Sequence, residues 1–350
     1  MKFKQLKQKA IYHSRIDYLT KPFYQGLGSI LMFHRICDAD HSPRIAGNKS
    51  LECSPELLVE LINYLKKAGY HFIGLDEIPI SIAKRRKKWI ALTFDDGYRD
   101  NLTLAYPILK EYQVPFAIYV TNSFPNHTAI LWWYLLEELL LTRDSIAFDF
   151  HGQGVIYACK TNLEKQQTFS AIRKLILREQ YDHQVQTIKQ IFSQFYDDLT
   201  AKTRELALSW DEIIEASKDP LVTIGAHTID HLALSKLSEG ELHRQLLQSR
   251  QELEEKLGSP IRHFAYPYGS KHEASLREFQ YAREIGFETA VTTRPGNIFF
   301  QHANHMQALP RLAITENKFA SKPHALRPYL HGLSFCVKNR FKRINLLSQA

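Results

Sequence analysis

The sequence predicts an α/β fold of parallel βα units, because short apolar runs that suit buried strands alternate with helical patterns. Runs that are apolar throughout are typical of strands buried on both faces of a sheet. Strands that alternate with helices predict parallel strands joined by crossover helices. The predicted strands are 29–33 (SILMF), 89–94 (WIALTF), 116–120 (FAIYV), 221–224 (LVTI), 264–265 (FA) and 289–292 (TAVT).

The predicted helices between these strands carry start and stop signals. Residues 54–68 begin with a Ser-Pro cap and repeat Leu and Ile at helical spacing. Residues 238–257 begin with a capping-box pattern and end at Gly258, a residue type that commonly follows a helix. The sequence also predicts helices over 101–112 and 275–285.

The stretch 126–208 interrupts this alternation of strands and helices. It is rich in Leu, Gln and Lys and predicts several helices. We therefore expect one body, residues 29–320, which carries a helical insertion over 126–208 rather than a second domain. Residues 1–28 are a predicted basic extension, and residues 321–350 are a predicted basic tail.

The positive charge of the chain is concentrated at its two ends. The 350 residues carry a net charge of +8, with +5 on residues 1–30 and +6 on residues 322–350. Apolar side chains interleave with the cations over 335–347, so this end could lie on an anionic membrane surface. A solvated terminal helix is the alternative. The basic run 84–88 has no interleaved aromatic residues and predicts a solvated loop, so we expect no nucleic-acid partner.

Other features bear on the compartment. The amino-terminal region lacks the apolar core and cleavage site of a secretion signal, and no apolar run reaches the length of about 18 residues that suggests a membrane span. These features predict a cytoplasmic protein, with peripheral contact to the inner face of a membrane left open. The scattered cysteines predict ordinary thiols; they are Cys37, Cys53, Cys159 and Cys336. The sequence does not indicate an oligomeric state.

Two adjacent carboxylates, Asp95 and Asp96, follow the predicted strand 89–94 in the motif Thr-Phe-Asp-Asp-Gly. Active sites of parallel βα folds collect at the carboxyl ends of the strands. Adjacent side chains at a strand end point in different directions, so one carboxylate could bind a metal while the other meets a water. Taken alone, Asp-Gly is also ordinary turn chemistry.

Two histidines four residues apart, His227 and His231, follow the predicted strand 221–224. This spacing places both imidazoles on one face of a helical turn, which suits two ligands of one metal. Packing at the surface or in the core is the alternative for the pair alone. With Asp96 they form a His-His-carboxylate set with open positions for water and substrate, which is the layout of a catalytic metal site.

A third motif, Tyr-Pro-Tyr-Gly at 266–269, follows the predicted strand 264–265. It predicts a tight turn, and a free backbone N–H in this turn could stabilise an oxyanion. A plain loop is the alternative.

These three motifs, in this order, resemble those of the polysaccharide deacetylase family, which is also called the NodB homology family or carbohydrate esterase family 4. The chain looks like the subgroup described as xylan/chitin deacetylase-like, and the resemblance spans about residues 30 to 314. It implies a distorted (β/α) barrel of about seven parallel strands, related to the TIM barrel. Further similarity lies at 31–36 (LMFHRI), 132–133 (WW), 209–212 (SWDE) and 308–312 (ALPRL).

The resemblance also implies roles for single residues. Asp95 would be the general base that takes a proton from the attacking water. Thr228 would support the loop that carries the ligands, and Tyr268 would offer its backbone N–H to the oxyanion. The metal would be divalent, with zinc as our first choice and cobalt or nickel as alternatives. Its implied ligands are Asp96, His227 and His231.

The sequence departs from the commonest family pattern in two respects. The third motif lacks the arginine that usually orients the catalytic aspartate, and we expect Arg311, from another strand end, to replace it. The late histidine that usually serves as general acid has no clean match. His34, which follows the first strand, is our candidate, with a hydrogen-bonded structural histidine as the alternative. Weaker candidates are His302, His305 and His331.

The sequence thus predicts a metal-dependent carbohydrate N-deacetylase that acts on N-acetylhexosamine residues of a polysaccharide or glycolipid. The basic ends and the lack of a secretion signal favour a membrane-bound acceptor, such as lipopolysaccharide core or another cell-envelope glycan. O-deacetylation of a polysaccharide is the alternative within the enzyme class, because the Asp-Asp and His-His set does not distinguish an ester from an amide. A non-catalytic carbohydrate-binding relative is the alternative outside that class.

Overall fold

The computed structural model describes residues 14–37, 44–179, 181–319 and 323–344. The first 13 residues of the predicted basic extension, and residues 321–322 and 345–350 of the predicted tail, therefore lie outside the described residues. The predicted membrane-contacting segment 335–347 is described up to residue 344.

Seven parallel strands form a curled half-barrel with helices around it, as the sequence predicts. The strands of the described residues are β1 (Gly28–Phe33), β2 (Arg35–Ile36), β3 (Glu52–Cys53), β4 (His71–Phe72), β5 (Trp89–Phe94), β6 (Phe116–Val120), β7 (Ser145–Phe150), β8 (Gln153–Ala158), β9 (Val222–Ala226), β10 (His263–Ala265), β11 (Thr289–Val291) and β12 (Leu312–Ala313). The order across the sheet is β11-β10-β9-β6-β5-β1-β12, and the short β4 also pairs with β5. The six predicted strands agree within two residues with β1, β5, β6, β9, β10 and β11.

The α-helices of the described residues are α1 (Asp17–Tyr24), α2 (Ala46–Lys49), α3 (Pro55–Lys67), α4 (Ile78–Ala83), α5 (Tyr106–Glu111), α6 (Trp132–Thr142), α7 (Asn162–Arg178), α8 (Tyr181–Phe192), α9 (Ala201–Leu206), α10 (Trp210–Ala216), α11 (Glu239–Leu257), α12 (Leu276–Glu284), α13 (Glu316–Phe319), α14 (Arg327–Leu330) and α15 (Leu333–Cys336). Short 3-10 turns occur at Leu75–Glu77, Leu234–Lys236, Phe300–Asn304, Met306–Ala308 and Pro323–Leu326. The predicted helix over 101–112 is divided into a π-helical turn, Asn101–Ala105, and α5.

The predicted helix caps form as expected. The Ser54 hydroxyl accepts a hydrogen bond from the backbone N–H of Leu57, and Ser238 caps α11 in the same way. Gly258 ends α11 with φ +64°, a left-handed conformation that glycine adopts at little cost. The apolar face of α3 is buried in the main core, where it packs beside the sheet.

The segment 309–313 connects the two edges of the sheet. Leu309 bridges to Val291 on β11, while Leu312 pairs with Leu31 on β1. This short segment therefore places Arg311 between the two edges, where its side chain is fully buried.

The insertion contains a β-hairpin as well as helices, which corrects the expectation of helices alone. Its antiparallel strands β7 and β8 are paired along their whole length, from Ser145 opposite Ala158 to Phe150 opposite Gln153. Along β7, Ile146 and Phe148 are buried and their neighbours are exposed, which is the alternation of a half-buried strand. His151 and Gly152 form the turn, and both have positive φ, as tight hairpin turns require.

The insertion has its own hydrophobic core. Side chains from α6, the hairpin, α7 and α8 form this cluster, and Ile45 joins it from the barrel side. A separate aromatic cluster that includes Tyr98 and Tyr134 connects the insertion to the region that follows β5. Within the described residues, no helix is long and apolar enough to cross a membrane.

Candidate metal and catalytic site

The predicted site residues meet at the end of the sheet where the parallel strands terminate. Asp95 and Asp96 directly follow β5, and His227 directly follows β9. Tyr268 follows β10 after two intervening residues. Parallel strands bring their carboxyl ends to one face, so residues distant in sequence become neighbours there.

Asp96, His227 and His231 form a cluster with the spacing of metal ligands. One ligand atom from each residue lies within 4.8 Å of the others. Oδ1 of Asp96 lies 3.4 Å from Nε2 of His227 and 3.2 Å from Nε2 of His231. Both Asp96 and His227 are buried, whereas His231 is partly exposed.

The donor set fits a divalent cation. Oδ1 of Asp96 is buried and has no hydrogen-bond partner among the described residues, although the two imidazoles lie close by. A buried carboxylate oxygen without a partner is costly, and a cation between the three groups would satisfy it. Burial opposes ionisation of Asp96, but His231 and His227 more than offset it and hold the pKa of Asp96 well below its usual range.

The ring of His227 is oriented by its second nitrogen. Nδ1 lies 2.7 Å from the backbone carbonyl of Ala265, so Nδ1 carries the proton and donates to this oxygen. Nε2, the other ring nitrogen, faces Asp96. Such a contact fixes both the tautomer and the direction of a metal-binding histidine.

The loop that carries both histidines is held by Thr228 and Gln245. The Thr228 hydroxyl accepts a hydrogen bond from the backbone N–H of His231 at 3.0 Å. Gln245, a buried residue of α11, accepts the backbone N–H groups of Ile229 and Asp230 through Oε1, each at 3.1 Å. The support that the resemblance implies for Thr228 is thus present, and Gln245 adds a second support.

Several non-glycine residues of the site have left-handed backbone conformations. The φ angles are +79° for Asp96, +67° for Thr228, +55° for His231 and +59° for Tyr268. Such conformations cost about 1–3 kcal/mol each and persist only where the surrounding contacts enforce them. Their concentration here indicates that the fold maintains a fixed geometry for the ligands and the third motif.

Arg311 holds Asp95 through both terminal nitrogens of its guanidinium group. Nη1 of Arg311 donates to Oδ1 of Asp95 at 2.6 Å, and Nη2 donates to Oδ2 at 2.7 Å. Nε of Arg311 donates to the carbonyl of Thr292 at 3.0 Å, and Nη1 also reaches the Thr93 hydroxyl. Burial tends to raise the pKa of Asp95, but the Arg311 guanidinium outweighs it and lowers this pKa.

His34 lies in the same cleft as the two aspartates. Its ring makes no hydrogen bond within the described residues, so the alternative of a hydrogen-bonded structural histidine has no support from the contacts. Burial lowers the pKa of His34, while the charges of Asp96 and Asp95 oppose this effect. The lowered pKa indicates a neutral ring near pH 7.

The three weaker histidine candidates lie elsewhere. His302 is buried, and its Nδ1 accepts the backbone N–H of Phe299. His305 lines a separate pocket beside α12, and His331 lies 2.6 Å from Oδ2 of Asp17. The structure therefore does not bring any of the three to Asp95.

The third motif places Tyr268 at the mouth of the site. Its ring contacts the His231 ring edge to face, with centroids 4.9 Å apart. Its carbonyl accepts a hydrogen bond from the Thr293 hydroxyl, whereas its N–H has no acceptor among the described residues. This N–H is therefore available to a ligand, as the predicted oxyanion role requires.

The site opens into a cleft of about 770 Å³ that the barrel and the insertion share. The barrel contributes the metal ligands, Asp95, His34 and Tyr268. The insertion contributes Trp133 at the start of α6 and Arg173 on α7. Arg173 also borders a second chamber of about 370 Å³, which continues past Tyr268 to Lys236.

Sequence analysis missed Trp133, Arg173 and Gln245 as site residues. The Trp pair at 132–133 was noted only as part of a family resemblance, and nothing in the pattern of α7 marks Arg173. Gln245 carries a readable signal, because it is a polar residue on the buried face of α11, next to Leu242 and Leu246.

Known proteins resemble this chain in sequence and in fold. A family model described as polysaccharide deacetylase matches residues 83–290. The protein YxkH of Bacillus subtilis (strain 168), whose name assigns it to the polysaccharide deacetylases, is 22% identical over 270 residues. That match covers 76% of this chain and 64% of YxkH, so this chain spans less than two thirds of that relative.

Two solved structures share the fold. The Streptococcus pyogenes deacetylase PplD, solved in complex with acetate, has a TM-score of 0.56 and 19% identity, covering 86% of this chain and 97% of PplD. IcaB from Ammonifex degensii has a TM-score of 0.52 and 19% identity, covering 87% of this chain and 97% of IcaB. Because the family model matches more than half of its residues, the chain belongs to the polysaccharide deacetylase family.

Proposed function

We propose that this chain is a metal-dependent N-deacetylase of N-acetylhexosamine residues in a polysaccharide or glycolipid. One observation carries the proposal. The unpartnered Oδ1 of Asp96 faces His227 and His231, while the adjacent Asp95 is fixed by Arg311. Ligands and base are thus neighbours with separate tasks, which is the requirement for metal-assisted hydrolysis.

Asp96, His227 and His231 would hold the cation. When bound, a divalent cation supplies a Lewis acid that polarises the acetyl carbonyl and lowers the pKa of a water ligand. Zinc suits two imidazoles and one carboxylate, and cobalt or nickel would suit them as well. Asp95 takes the proton of the attacking water, since its carboxylate is ionised and faces the cleft.

Tyr268 and His34 complete the proposed chemistry. The free N–H of Tyr268 donates a hydrogen bond to the oxyanion that develops from the acetyl carbonyl. His34 donates a proton to the leaving amine. Because burial lowers the pKa of His34 and leaves the ring neutral, the ring must first take up a proton. The proton that Asp95 removes from the attacking water balances the one that the leaving amine receives. An amide needs this protonation more than an ester does, since a free amide anion is a poor leaving group.

The acceptor would lie along the cleft between the barrel and the insertion. Trp133 offers an aromatic face of the kind that stacks on sugar rings, and Arg173 offers a cation for hydrogen bonds to oxygens. The continuation of the cleft into the second chamber gives room for more than one sugar unit. A cell-envelope glycan, including a lipid-linked one such as lipopolysaccharide core, fits these dimensions.

Acetate release tests the proposal. The zinc-loaded protein is incubated with N-acetylglucosamine oligosaccharides, with lipopolysaccharide core and with an O-acetylated polysaccharide. We expect release from an N-acetyl acceptor, and losses of about 100-fold or more in Asp95→Asn and His227→Ala. The conservative surface change His243→Asn is the matched control and should keep full activity, since His243 is exposed on α11 and lines neither the cleft nor the second chamber.

Each other outcome identifies an alternative. Release from the O-acetyl substrate alone would make the protein an esterase. Tight binding of one metal and of glycan, with no release from any substrate, would identify a non-catalytic carbohydrate-binding relative. Wild-type activity in His227→Ala would contradict the proposed metal site.

A further inference from the structure

The two ends of the described chain are joined by a buried ion pair. Asp17 on α1 is fully buried and accepts hydrogen bonds from Arg327, at 2.9 Å from Nε and 3.0 Å from Nη2. Oδ2 of Asp17 also lies 2.6 Å from Nδ1 of His331. The Thr20 hydroxyl donates to the carbonyl of His331, a contact between residues 311 positions apart. These contacts fix α1 against α14.

Close backbone packing continues this junction. A Cβ on Gly332 would lie 2.2 Å from Cβ of Tyr24, so only glycine permits this approach. The Tyr24 hydroxyl donates to the carbonyl of Phe341 at 3.0 Å. The ends therefore form one continuous surface with a defined arrangement.

This surface exposes large apolar side chains. Ile16, Leu19 and Phe23 are 47%, 73% and 59% exposed, and their spacing places them on one face of α1, turned away from the buried Asp17. Beyond the junction, Val337 and Phe341 are 66% and 65% exposed. Isolated apolar residues on a surface are ordinary, but a contiguous group marks an interaction site.

The two segments that carry these apolar side chains also carry many cations. Residues 14–28 and 333–344 contain six Lys or Arg residues, and their one acidic residue, Asp17, is buried in its ion pair. The six cations are Arg15, Lys21, Lys338, Arg340, Lys342 and Arg343.

We infer that this terminal surface, formed by Ile16, Leu19, Phe23, Val337 and Phe341 with the six cations, binds an anionic lipid bilayer. Apolar side chains of such a surface enter the boundary between headgroups and acyl chains, while the cations attract anionic headgroups. A second copy of this chain is a poor partner, because a two-fold interface would bring two sets of like charges together. The inference does not depend on the proposed function.

The terminal surface lies at the opposite end of the barrel from the cleft. Tyr24 precedes the amino end of β1, and Arg343 lies over the ring of Phe299, next to Ile298, which bridges to Gly28 at the start of β1. The cleft lies at the carboxyl ends of the strands. A six-residue strand spans roughly 20 Å, so the bound protein would turn its cleft away from the bilayer. A glycan of several sugar units could reach the cleft, but a sugar attached directly to the lipid could not.

Co-sedimentation of the full chain with lipid vesicles tests the inference. One set of vesicles holds equal parts of phosphatidylglycerol and phosphatidylcholine, and the other holds phosphatidylcholine alone. We expect sedimentation with the anionic vesicles that falls as salt rises. The variants Leu19→Ser/Phe23→Ser and Lys338→Glu/Arg340→Glu should both bind the anionic vesicles more weakly than the wild type. For Lys338→Glu/Arg340→Glu, the binding constant should fall at least about five-fold for each cation removed, or about 25-fold for the pair.

Matched controls keep the test specific. Ile156 and Leu163 are 77% and 67% exposed on the insertion, so Ile156→Ser/Leu163→Ser removes similar apolar surface at another place. Lys160→Glu/Lys174→Glu makes the same charge change there. Both controls should sediment like the wild type. Binding by the terminal-surface variants equal to wild-type binding, or no binding of the wild type to anionic vesicles, would overturn the inference. So would a dimer in light scattering that Leu19→Ser/Phe23→Ser dissociates, because a second copy would then occupy the surface.

Discussion

Arg311 binds both carboxylate oxygens of Asp95 from a position 216 residues further along the chain. A bidentate pair of this kind fixes the plane of the carboxylate, so the directions of its remaining lone pairs are fixed as well. Both side chains are buried, and Arg311 is itself held by the carbonyl of Thr292 and the hydroxyl of Thr93. The orientation of Asp95 therefore depends on the segment that joins the two edges of the sheet.

Replacement of Arg311 by lysine should impair turnover without removing the metal. Lysine keeps the positive charge but cannot donate to both oxygens in one plane. We expect kcat to fall about 100-fold, as for a misplaced catalytic group, while the zinc content stays at the wild-type value. Steady-state kinetics and metal analysis of the same preparation measure both quantities. Arg283→Lys, outside the cleft, is the control. An equal fall in kcat for Arg283→Lys would contradict a specific effect of Arg311 on turnover.

Metal binding should stabilise the folded chain through Asp96 and His231. A ligand that binds only the folded state raises the unfolding free energy, by about 2.7 kcal/mol at a concentration 100 times its Kd. We expect zinc to raise Tm of the apoprotein by about 4 °C. His231→Ala and Asp96→Ala should each abolish this rise, whereas His272→Ala should keep it. A full rise in His231→Ala would show that the metal binds elsewhere.

Gln245 should affect metal affinity although it does not reach the metal. Its Oε1 accepts the backbone N–H groups of Ile229 and Asp230, between the two ligand histidines. Leucine at this position would leave both groups without a partner and loosen the loop. Loss of a contact that holds metal ligands in place typically weakens metal affinity by about 10- to 100-fold. We expect a weakening of that order in the zinc affinity of Gln245→Leu, measured by competition with a chelator. The exposed neighbour on the same helix, Gln248→Leu, should bind zinc like the wild type.

The strands and the arrangement of the site were predictable because both depend on local patterns. Apolar runs marked β5, β9 and β10, and the polar residues that follow these strands had to meet at one end of a parallel sheet. The partnership of Arg311 with Asp95 was predictable only through the family resemblance, because Arg311 directly precedes β12 and the rule for carboxyl ends does not identify it. The catalytic roles themselves stay predictions.

The insertion was less predictable for a physical reason. The alternation of Ile146 and Phe148 is a weaker signal than the continuous apolar runs of the barrel strands, and a long helix follows the hairpin. Arg173 lies in the cleft only because the insertion folds back over the barrel, and no local pattern records a tertiary contact of this kind. The left-handed conformations of Asp96 and Thr228 were not predictable either, since neither residue type requires them.

Trp133 and Arg173 should determine affinity for the glycan rather than the rate of the chemical step. Both lie in the wall that the insertion contributes, apart from the metal ligands. We expect Trp133→Ala and Arg173→Ala to raise KM for an oligosaccharide about 10-fold, a loss of about 1–2 kcal/mol of binding. Turnover of a small N-acetyl compound should stay unchanged. Lys174→Ala, the exposed neighbour of Arg173, is the control. Loss of small-substrate turnover in either variant would indicate a damaged fold instead.

His302 should make the stability of the apoprotein sensitive to acid. Burial lowers the pKa of this ring from its ordinary 6.5 to about 4, so the folded chain holds it neutral while the unfolded chain protonates it first. The unfolded state then binds more protons as pH falls from about 6.5 to about 4, and the unfolding free energy drops over that window by up to about 3 kcal/mol. Asparagine could replace Nδ1 as acceptor for the Phe299 N–H but would not titrate.

Urea unfolding of wild type and His302→Asn at several pH values measures the contribution of His302 to the pH dependence of the unfolding free energy. All samples are metal-free, so that loss of metal in acid adds nothing to the slope. We expect the variant to lose less stability than the wild type between pH 7 and about pH 4.5, because one of its buried titrating groups is gone. The exposed His272→Asn should follow the wild type. Parallel curves for wild type and His302→Asn would mean that His302 is protonated in the folded chain, against its burial.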